Sequence, residues 1–291
     1  RKIRENIIEK ALFFCAFITI LTTLGIIFIL VYQTYGFFKE VSILEFLTDS
    51  QWTPLFADKH FGILPLLSGT LLTSFIALLF ALPIGLSIAI YLNEFAPKSF
   101  RKTIKPLLEL LAAVPTVVYG FFALIVVTPF LQLFFPSMSG FNGLSAGLVM
   151  GIMIIPYISS LSEDALYAVP KSLREASYGM GSTRLQTAFR VTVPAASSGI
   201  IVSIILALSR VIGETMIVAI AAGMQPRLTL NPLVPVETIT AYIVQVSSGD
   251  VPFGSIEYKT IYAAGIALFV FTFILNNISF WIKKKYQEKY D

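Results

Sequence analysis

The sequence predicts an all-α integral membrane protein that crosses the bilayer about six times. Hydrophobic residues make up 56% of its 291 residues and charged residues only 13%, whereas soluble domains carry roughly 25% charged residues. Several uncharged segments also exceed the ~20 residues that a helix needs to cross the bilayer core. A water-soluble fold has no surface for so much apolar area, so we exclude that class.

The uncharged segments define the predicted spans. In chain order they are 11–38, 61–93, two spans within 110–162, then 193–222, which is interrupted by Arg210 and Glu214, and 260–282. The run 110–162 is too long for one helix, and the Pro, Gly, Ser and Asn residues at 136–143 favour a turn, so it predicts two spans. The first segment is longer than the 7–15 residues of a typical signal-peptide core, and we expect it to remain as a helix.

The basic residues predict the orientation of these spans, because Lys and Arg near span ends are retained in the cytoplasm. One side carries Arg1, Lys2, Arg4, Lys10, Lys98, Arg101, Lys102, Lys105, Lys171, Arg174, Arg184, Arg190, Lys283, Lys284, Lys285 and Lys289. The other side carries only Lys39, Lys59, Arg227 and Lys259. Both termini are therefore predicted to be cytoplasmic. The net charge of +4 reflects this topology rather than an affinity for nucleic acid.

Chemistry within the chain has little support in the sequence. The single histidine, His60, has no cluster of carboxylates or cysteines around it, and the single cysteine, Cys15, lies in the first span, where we expect it to be buried. No nucleophile motif and no G-x-x-x-x-G-K-[ST] phosphate loop is present. We therefore expect no enzymatic activity, no metal site and no cofactor bound by this chain, and any ATP and Mg to be held by another subunit.

The loop 161–192 is predicted to contain a short amphipathic helix on the cytoplasmic side. Its apolar residues recur at intervals of three to five, at Leu166, Val169, Leu173, Ala176, Met180 and Leu185. The apolar face has to be buried against something. Periodicity alone does not distinguish packing on the ends of the chain's own helices from docking on a partner.

This loop resembles that of ABC importer permeases. Glu175-Ala176-Ser177, Gly181 and Val191-x-Val193-Pro194 follow the spacing of the motif Glu-Ala-Ala, three residues, Gly, nine residues, Ile-x-Leu-Pro, with conservative changes at 177, 191 and 193. The resemblance implies a coupling helix that docks on a cytoplasmic ATPase subunit. It implies coupling roles for Arg174, Glu175, Ala176 and Gly181.

A second resemblance concerns the permeases of phosphate importers. It rests on the segments Trp52-Thr53-Pro54, Phe61 to Thr70, Arg210 to Met216, Ala241 to Gln245 and Asn276-Asn277. The external loop before Phe61 favours the subunit usually called the C permease. The resemblance implies a type I ABC importer permease fold in a bacterial inner membrane. It also implies four kinds of partner: a second homologous permease, two copies of an ATPase subunit, an extracytoplasmic phosphate-binding protein and phosphate itself.

Arg210 and Glu214 are the ionisable residues deep in a predicted span. They are four residues apart and are therefore predicted to lie on one helix face, and charges at such depth usually face a cavity or a partner. One interpretation is an anion contact from Arg210, with Glu214 holding the arginine when no anion is present. The alternative is a permanent ion pair that fixes two helices.

Hydroxyl groups near the same depth are further candidates for the translocation path. They are Thr70, Thr73 and Ser209, together with Ser74 and Thr215. The alternative for each is a hydrogen bond to its own helix backbone, which is common for Ser and Thr in helices.

The chain divides into residues 1–60, with the N-terminus, first span and an external loop, and a permease core at 61–291. The core contains five spans, the coupling loop at 161–192 and a cytoplasmic tail at 283–291. The ridge Gly143, Gly147 and Gly151 predicts close helix packing, within the chain or against a second permease. Alternative functions are an importer of another oxyanion, such as phosphonate, sulfate or molybdate, a secondary transporter and a membrane enzyme.

Overall fold

The computed structural model describes the backbone of residues 2–286, and the side chains of these residues except 2–4, 98 and 283–286. The helices are α1 (Lys2–Phe38), α2 (Ile43–Thr48), α3 (Leu64–Ile90), α4 (Lys98–Ala112), α5 (Thr116–Phe122), α6 (Thr128–Gln132), α7 (Gly143–Tyr167), α8 (Lys171–Gly179), α9 (Arg184–Thr187), α10 (Val193–Ala195), α11 (Ser197–Ile212), α12 (Met216–Ala221), α13 (Ile239–Ser248) and α14 (Ile256–Tyr286). Single π-helical turns extend α3 and join α5 to α6 and α9 to α10. No strand occurs within residues 2–286, only two isolated bridges.

The predicted number of spans is confirmed. Four helices are long and apolar enough to cross a membrane, α1, α3, α7 and α14, and two bent pairs bring the number to six. The orientation of the termini stays a prediction. Among the basic residues behind it, Arg1, Lys2, Arg4, Lys98, Lys283, Lys284, Lys285 and Lys289 lie outside the described side chains, as does the tail 283–291.

The third crossing begins later than the sequence predicted. The chain bends by 82° between α4 and the segment Thr116–Gln132, so the crossing starts at Thr116 and not near residue 110. Pro115 separates the two parts, and a proline disfavours helical backbone at the residue before it. Helix α4 carries one charged and one apolar face, which suits a position along the membrane surface.

The fifth crossing is shorter and more interrupted than predicted. A bend of 70° separates Arg184–Ala195 from Ser197–Ile212, so the crossing consists of α11 and α12. These two helices are themselves separated at Gly213, Glu214 and Thr215. This second break places irregular backbone inside the bundle.

Helices α3 and α7 form the centre of the bundle, and glycines set their distance. A Cβ atom built on Gly147 would lie 2.8 Å from Ile76, and one built on Gly151 would lie 2.9 Å from Phe80. Small residues allow this close approach in membranes, where van der Waals packing holds helices together. The glycine ridge therefore packs within this chain.

Helix α1 lies at the edge of the bundle, packed along α14. The Thr34 hydroxyl donates a hydrogen bond to the Tyr262 carbonyl at 3.0 Å. Most large apolar side chains of α1 point outward, as expected for a helix in contact with lipid. Cys15 is exposed on this surface, so the expectation that it is buried was wrong, because α1 contacts the bundle along one stripe only.

Candidate translocation path and coupling surface

A break in the fifth crossing positions the two charged residues that the sequence singled out. Helix α11 ends at Ile212, and α12 begins at Met216. Glu214 Oε1 accepts hydrogen bonds from the backbone N–H groups of Met216 at 3.1 Å and Ile217 at 3.4 Å. These amides have no partner within the helix, and the carboxylate satisfies them. The prediction that Arg210 and Glu214 share one helix face was therefore wrong.

Arg210 lies in the last turn of α11, with its side chain exposed. Its guanidinium carbon is 5.8 Å from the centre of the Tyr157 ring, on α7. Within the described part of the chain Arg210 forms no ion pair and no hydrogen bond. The C-terminus of α11 and the face of the Tyr157 ring both favour a cation. Neither of them takes up the N–H donors of the Arg210 guanidinium. Those donors remain available to an anion.

Two of the predicted hydroxyl residues are enclosed in the protein. The Thr70 hydroxyl donates to the Leu66 carbonyl at 2.8 Å and accepts from the Ile239 N–H at 3.1 Å, which ties α3 to the start of α13. Thr73 is equally buried and donates to the Gly69 carbonyl at 2.8 Å. Their contribution to the path stays a prediction, and in this conformation both serve helix packing.

Ser209 lies next to Arg210 in a more open position. Its hydroxyl donates a hydrogen bond to Asn276 Oδ1 on α14 at 3.1 Å. Asn276 contacts Ser209 and Tyr157 contacts Arg210, and the sequence assigned neither of them to the path. An asparagine in the last predicted span was a usable signal, because polar residues in spans tend to be functional.

The remaining hydroxyls differ from one another. Ser74 is buried on α3, and its hydroxyl has no hydrogen-bond partner. Thr215 precedes α12, and its hydroxyl donates weakly to the Gly213 carbonyl at 3.4 Å. Thr240, which was not predicted, donates to the carbonyl of Glu214 at 2.7 Å and holds the break against α13.

The coupling loop forms helix α8, as predicted, and Arg174 anchors it to the bundle. Its guanidinium donates to the Leu166 carbonyl at 2.7 Å and lies 3.5 Å from Glu94 at the end of α3. Glu175 and Ala176 are exposed on the other side of the helix. Arg174 therefore fixes the position of α8, and Glu175 and Ala176 are accessible to a partner.

Gly181 provides the turn after α8. Its φ is +82°, a backbone conformation that side chains with a Cβ rarely adopt. The short helix α9 follows, with a capping box between Thr183 and Gln186. The turn brings α9 back towards the bundle, where the Ser177 and Thr187 hydroxyls lie 2.9 Å apart.

The first part of the apolar face packs on the ends of the chain's own helices, and docking of the rest on a partner stays a prediction. Leu166 and Val169 are buried and Leu173 partly so, packed on the ends of α3 and α11. Farther along the loop, Met180 is 87% exposed, and it belongs to an outward apolar patch. The patch, which we call the coupling surface, consists of Tyr178, Met180, Leu185 and Phe189.

A cluster of charges that the sequence did not predict lies close to the coupling loop. Glu163, near the end of α7, is 1% exposed and pairs with Arg101 and with Lys105, the latter at 2.9 Å. Lys105 also contacts Asp164 at 2.9 Å. These pairs fix the amphipathic helix α4 to α7. Only proximity in the fold reveals them, since the partners are about sixty residues apart.

A bundle of up to six apolar spans, with a polar break in its fifth crossing and exposed apolar side chains on a connecting loop, is the architecture of a membrane permease. Residues 81–288 match the family described as binding-protein-dependent transport system inner membrane component. The chain belongs to this family. Family membership implies an ATPase and a binding protein as partners, and localisation in the inner membrane.

Curated relatives cover most of the chain. The probable ABC transporter permease protein YqgH of Bacillus subtilis is 37% identical over 262 residues, which are 89% of this chain and 84% of the relative. The phosphate transport system permease protein PstC of Mesorhizobium japonicum is 36% identical over 84% of this chain and 77% of its own length. The phosphate transport system permease protein PstC of Xylella fastidiosa strain 9a5c is 34% identical over 79% of this chain and 75% of its own length.

Solved structures share the fold. A bacterial ABC transporter that imports the acidic polysaccharide alginate superimposes with a TM-score of 0.59 at 19% identity, over 96% of this chain and 98% of its own. The inward-facing MetNI methionine ABC transporter superimposes with a TM-score of 0.59 at 19% sequence identity. The match covers 75% of this chain and 93% of the MetNI chain. The predicted type I ABC importer permease fold is thus confirmed.

Proposed function

We propose that this chain is the membrane-spanning permease subunit of an ATP-driven importer of inorganic phosphate. Relatives named as phosphate permeases support the substrate, and the coupling surface supports the energy source. In this proposal a second homologous permease completes the path, two copies of an ATPase subunit bind the two coupling surfaces, and a phosphate-binding protein delivers the anion. The chain itself carries out no covalent step.

The observation that carries the proposal is the free guanidinium of Arg210 beside the break between α11 and α12. Guanidinium offers paired N–H donors that match phosphate oxygens. Because no carboxylate of the described chain pairs with it, the anion does not have to displace a partner. Glu214 keeps the break in place by capping α12, and its charge near the path weakens anion binding enough for release.

Arg174 supports the coupling part of the proposal. It connects α8 both to the end of α3, at Glu94, and to α7, at Leu166. A movement of the ATPase subunits at the coupling surface therefore reaches two central helices directly. Alternating access would follow from their displacement.

The test is uptake of labelled phosphate into vesicles that contain this chain with its co-encoded partners. We expect uptake that requires ATP and the binding protein. Arg210→Ala abolishes phosphate uptake. Arg210→Lys retains a small fraction of it, because an ammonium group replaces the planar guanidinium with its paired N–H donors. Glu175→Ala, on the exposed side of α8, weakens coupling and leaves assembly intact.

Two outcomes would contradict the proposal. Uptake that follows an ion gradient without the ATPase would indicate a secondary transporter. Uptake that sulfate, molybdate or a phosphonate supports better than phosphate would indicate another oxyanion. Size-exclusion chromatography of each variant complex shows whether a lost activity reflects lost assembly.

A further inference from the structure

A second polar site lies at the end of the bundle opposite the coupling helix. Helix α3 extends from one site to the other. Gly69, near its start, packs against the backbone of Glu237, and Glu94, just beyond its end, pairs with Arg174 of the coupling helix. Twenty-five residues of helix separate Gly69 from Glu94, about 37 Å at 1.5 Å per residue. Glu237 therefore belongs to the face on which a binding protein of this family has to dock.

Glu237 is a buried carboxyl group without a partner. Its side chain is 1% exposed, and neither Oε1 nor Oε2 has a hydrogen bond in the described structure. Burial raises the pKa of Glu237 to about 8. An unpaired buried carboxylate is costly, so the free group is mostly protonated at pH 7, and a cation bound beside it would favour the ionised form, with release of the proton to solvent.

The backbone around Glu237 is held in place, so the side chain cannot easily turn to solvent. Its carbonyl packs on Gly69, where a Cβ atom would lie 2.1 Å from the oxygen. The Val236 N–H donates to the Ala222 carbonyl at 3.0 Å, and the Ile239 N–H to the Thr70 hydroxyl at 3.1 Å. These contacts fix the position of the Glu237 backbone in the fold.

That position is the wall of a cavity of about 120 Å³. Trp52 and Tyr242 form its aromatic lining, with ring centres 5.0 Å apart, and Gln245 lies beside them. The Trp52 indole N–H is also buried, next to the Tyr242 side chain. Exposed apolar side chains, those of Leu55 and Phe56, lie at its rim.

We propose that this cavity receives an arginine side chain of the binding protein when that protein docks. Two unpartnered carboxylate oxygens match the paired N–H groups of a guanidinium, and aromatic rings favour a cation. The cavity has the volume of about four water molecules, enough for the head of one arginine.

The proposal rests on the proposed function for the direction of docking, and its test measures docking alone. The probe is the co-encoded binding protein, titrated against the complete transporter in lipid nanodiscs. Glu237→Gln keeps the shape but cannot ionise beside a bound guanidinium, and we expect Kd to rise at least tenfold. The control Asp250→Asn removes the same charge from an exposed site on the same loop face, and we expect a change of less than twofold.

A second arm identifies the arginine. Each arginine on the docking face of the binding protein is changed to methionine in turn. The substitution of the arginine that enters the cavity should weaken binding to the wild-type transporter and should cause no additional loss of affinity for the Glu237→Gln transporter. Equal affinity of Glu237→Gln and wild type would overturn the proposal, and so would the absence of any coupled arginine. Basal ATPase activity and elution volume verify that the variant is assembled. A wild-type transporter that docks normally but imports another anion would contradict the proposed substrate and leave this inference standing.

Discussion

Glu214 shows how a single residue can have a role that spacing does not indicate. Glu214 is four residues from Arg210, and this spacing favours an ion pair between the two. Its carboxylate instead caps the N-terminus of α12. The chain avoids unsatisfied amides in the middle of the bundle in this way, where water is scarce. The charge of Glu214 and its hydrogen bonds are separable properties.

Substitutions at Glu214 can separate these two properties. Glu214→Ala leaves the Met216 and Ile217 amides without their acceptor, and we expect a loss of about 1 kcal/mol, the usual cost of a missing cap. Glu214→Gln keeps an acceptor oxygen and should remain close to wild type in thermal unfolding. If both variants unfold at the same lower temperature, the charge rather than the cap is what matters.

His60 connects stability to pH on the predicted external side. Its Nδ1 lies 2.8 Å from Asp49 Oδ2, and this hydrogen bond raises the pKa of His60 above its usual 6.5. Burial acts to raise the pKa of Asp49, but hydrogen bonds from the Gln51 backbone and from His60 outweigh it, so its pKa is lowered.

The sign of the pH effect follows from these shifts. A raised pKa in the folded state means that protonated His60 stabilises the protein below pH 6.5, and that this contribution is lost as pH rises through the folded-state pKa. The lowered pKa of Asp49 adds stability that is lost only in acid, below about pH 4. We expect the midpoint of thermal unfolding to fall between pH 6 and 8 more in wild type than in His60→Asn. Parallel curves would contradict this.

At the scale of elements, the contact between α3 and α7 decides whether the bundle assembles. Gly147→Ala would place a methyl group 2.8 Å from Ile76, and such overpacking costs about 1–3 kcal/mol. Gly25→Ala on α1 is the matched control, because its Cβ would meet nothing within 4 Å. We expect only Gly147→Ala to lower the unfolding midpoint of the purified subunit. Similar midpoints for the two variants would mean that α7 can shift away from α3.

The sequence predicted the elements better than their interruptions. Long uncharged runs reveal spans because bilayer thickness imposes a minimum length, and fixed spacing around Gly181 revealed α8. The bend before Thr116 follows from Pro115, whereas the break at Gly213 is held by tertiary contacts, such as the hydrogen bond from Thr240 to the carbonyl of Glu214. Hydrophobicity alone does not encode them.

The site was predictable to a similar extent. Arg210 stood out because charge is rare in a span, whereas Tyr157 and Asn276 are close to it only through the packing of α7 and α14 on α11. Glu237 lies in a loop whose sequence looks solvated, and its burial depends on Gly69 and Trp52. Residues that act through long-range neighbours leave no local pattern to detect.

The whole molecule has two ends with different chemistry. One end presents the apolar coupling surface, and the other presents a buried carboxyl group, and α3 extends between them. Because the Arg174 anchor and the Glu163 pairs hold the first end to the bundle, a partner that moves the coupling surface moves the helices as well. Substitutions that leave the bundle intact should therefore impair partner binding at one end without affecting the other end.

Met180 offers the clearest test of that separation. It is 87% exposed at the centre of the coupling surface, and burying it against an ATPase subunit would contribute roughly 1.5–3 kcal/mol. Met180→Glu should therefore prevent the ATPase from co-purifying with the permease, while the permease keeps its unfolding midpoint. Leu230→Glu is the control, since Leu230 is 84% exposed in the loop at the other end of the bundle, and it should retain the ATPase. Retention of the ATPase by Met180→Glu would mean that the partner contacts the charged side of α8, around Glu175, rather than the apolar patch.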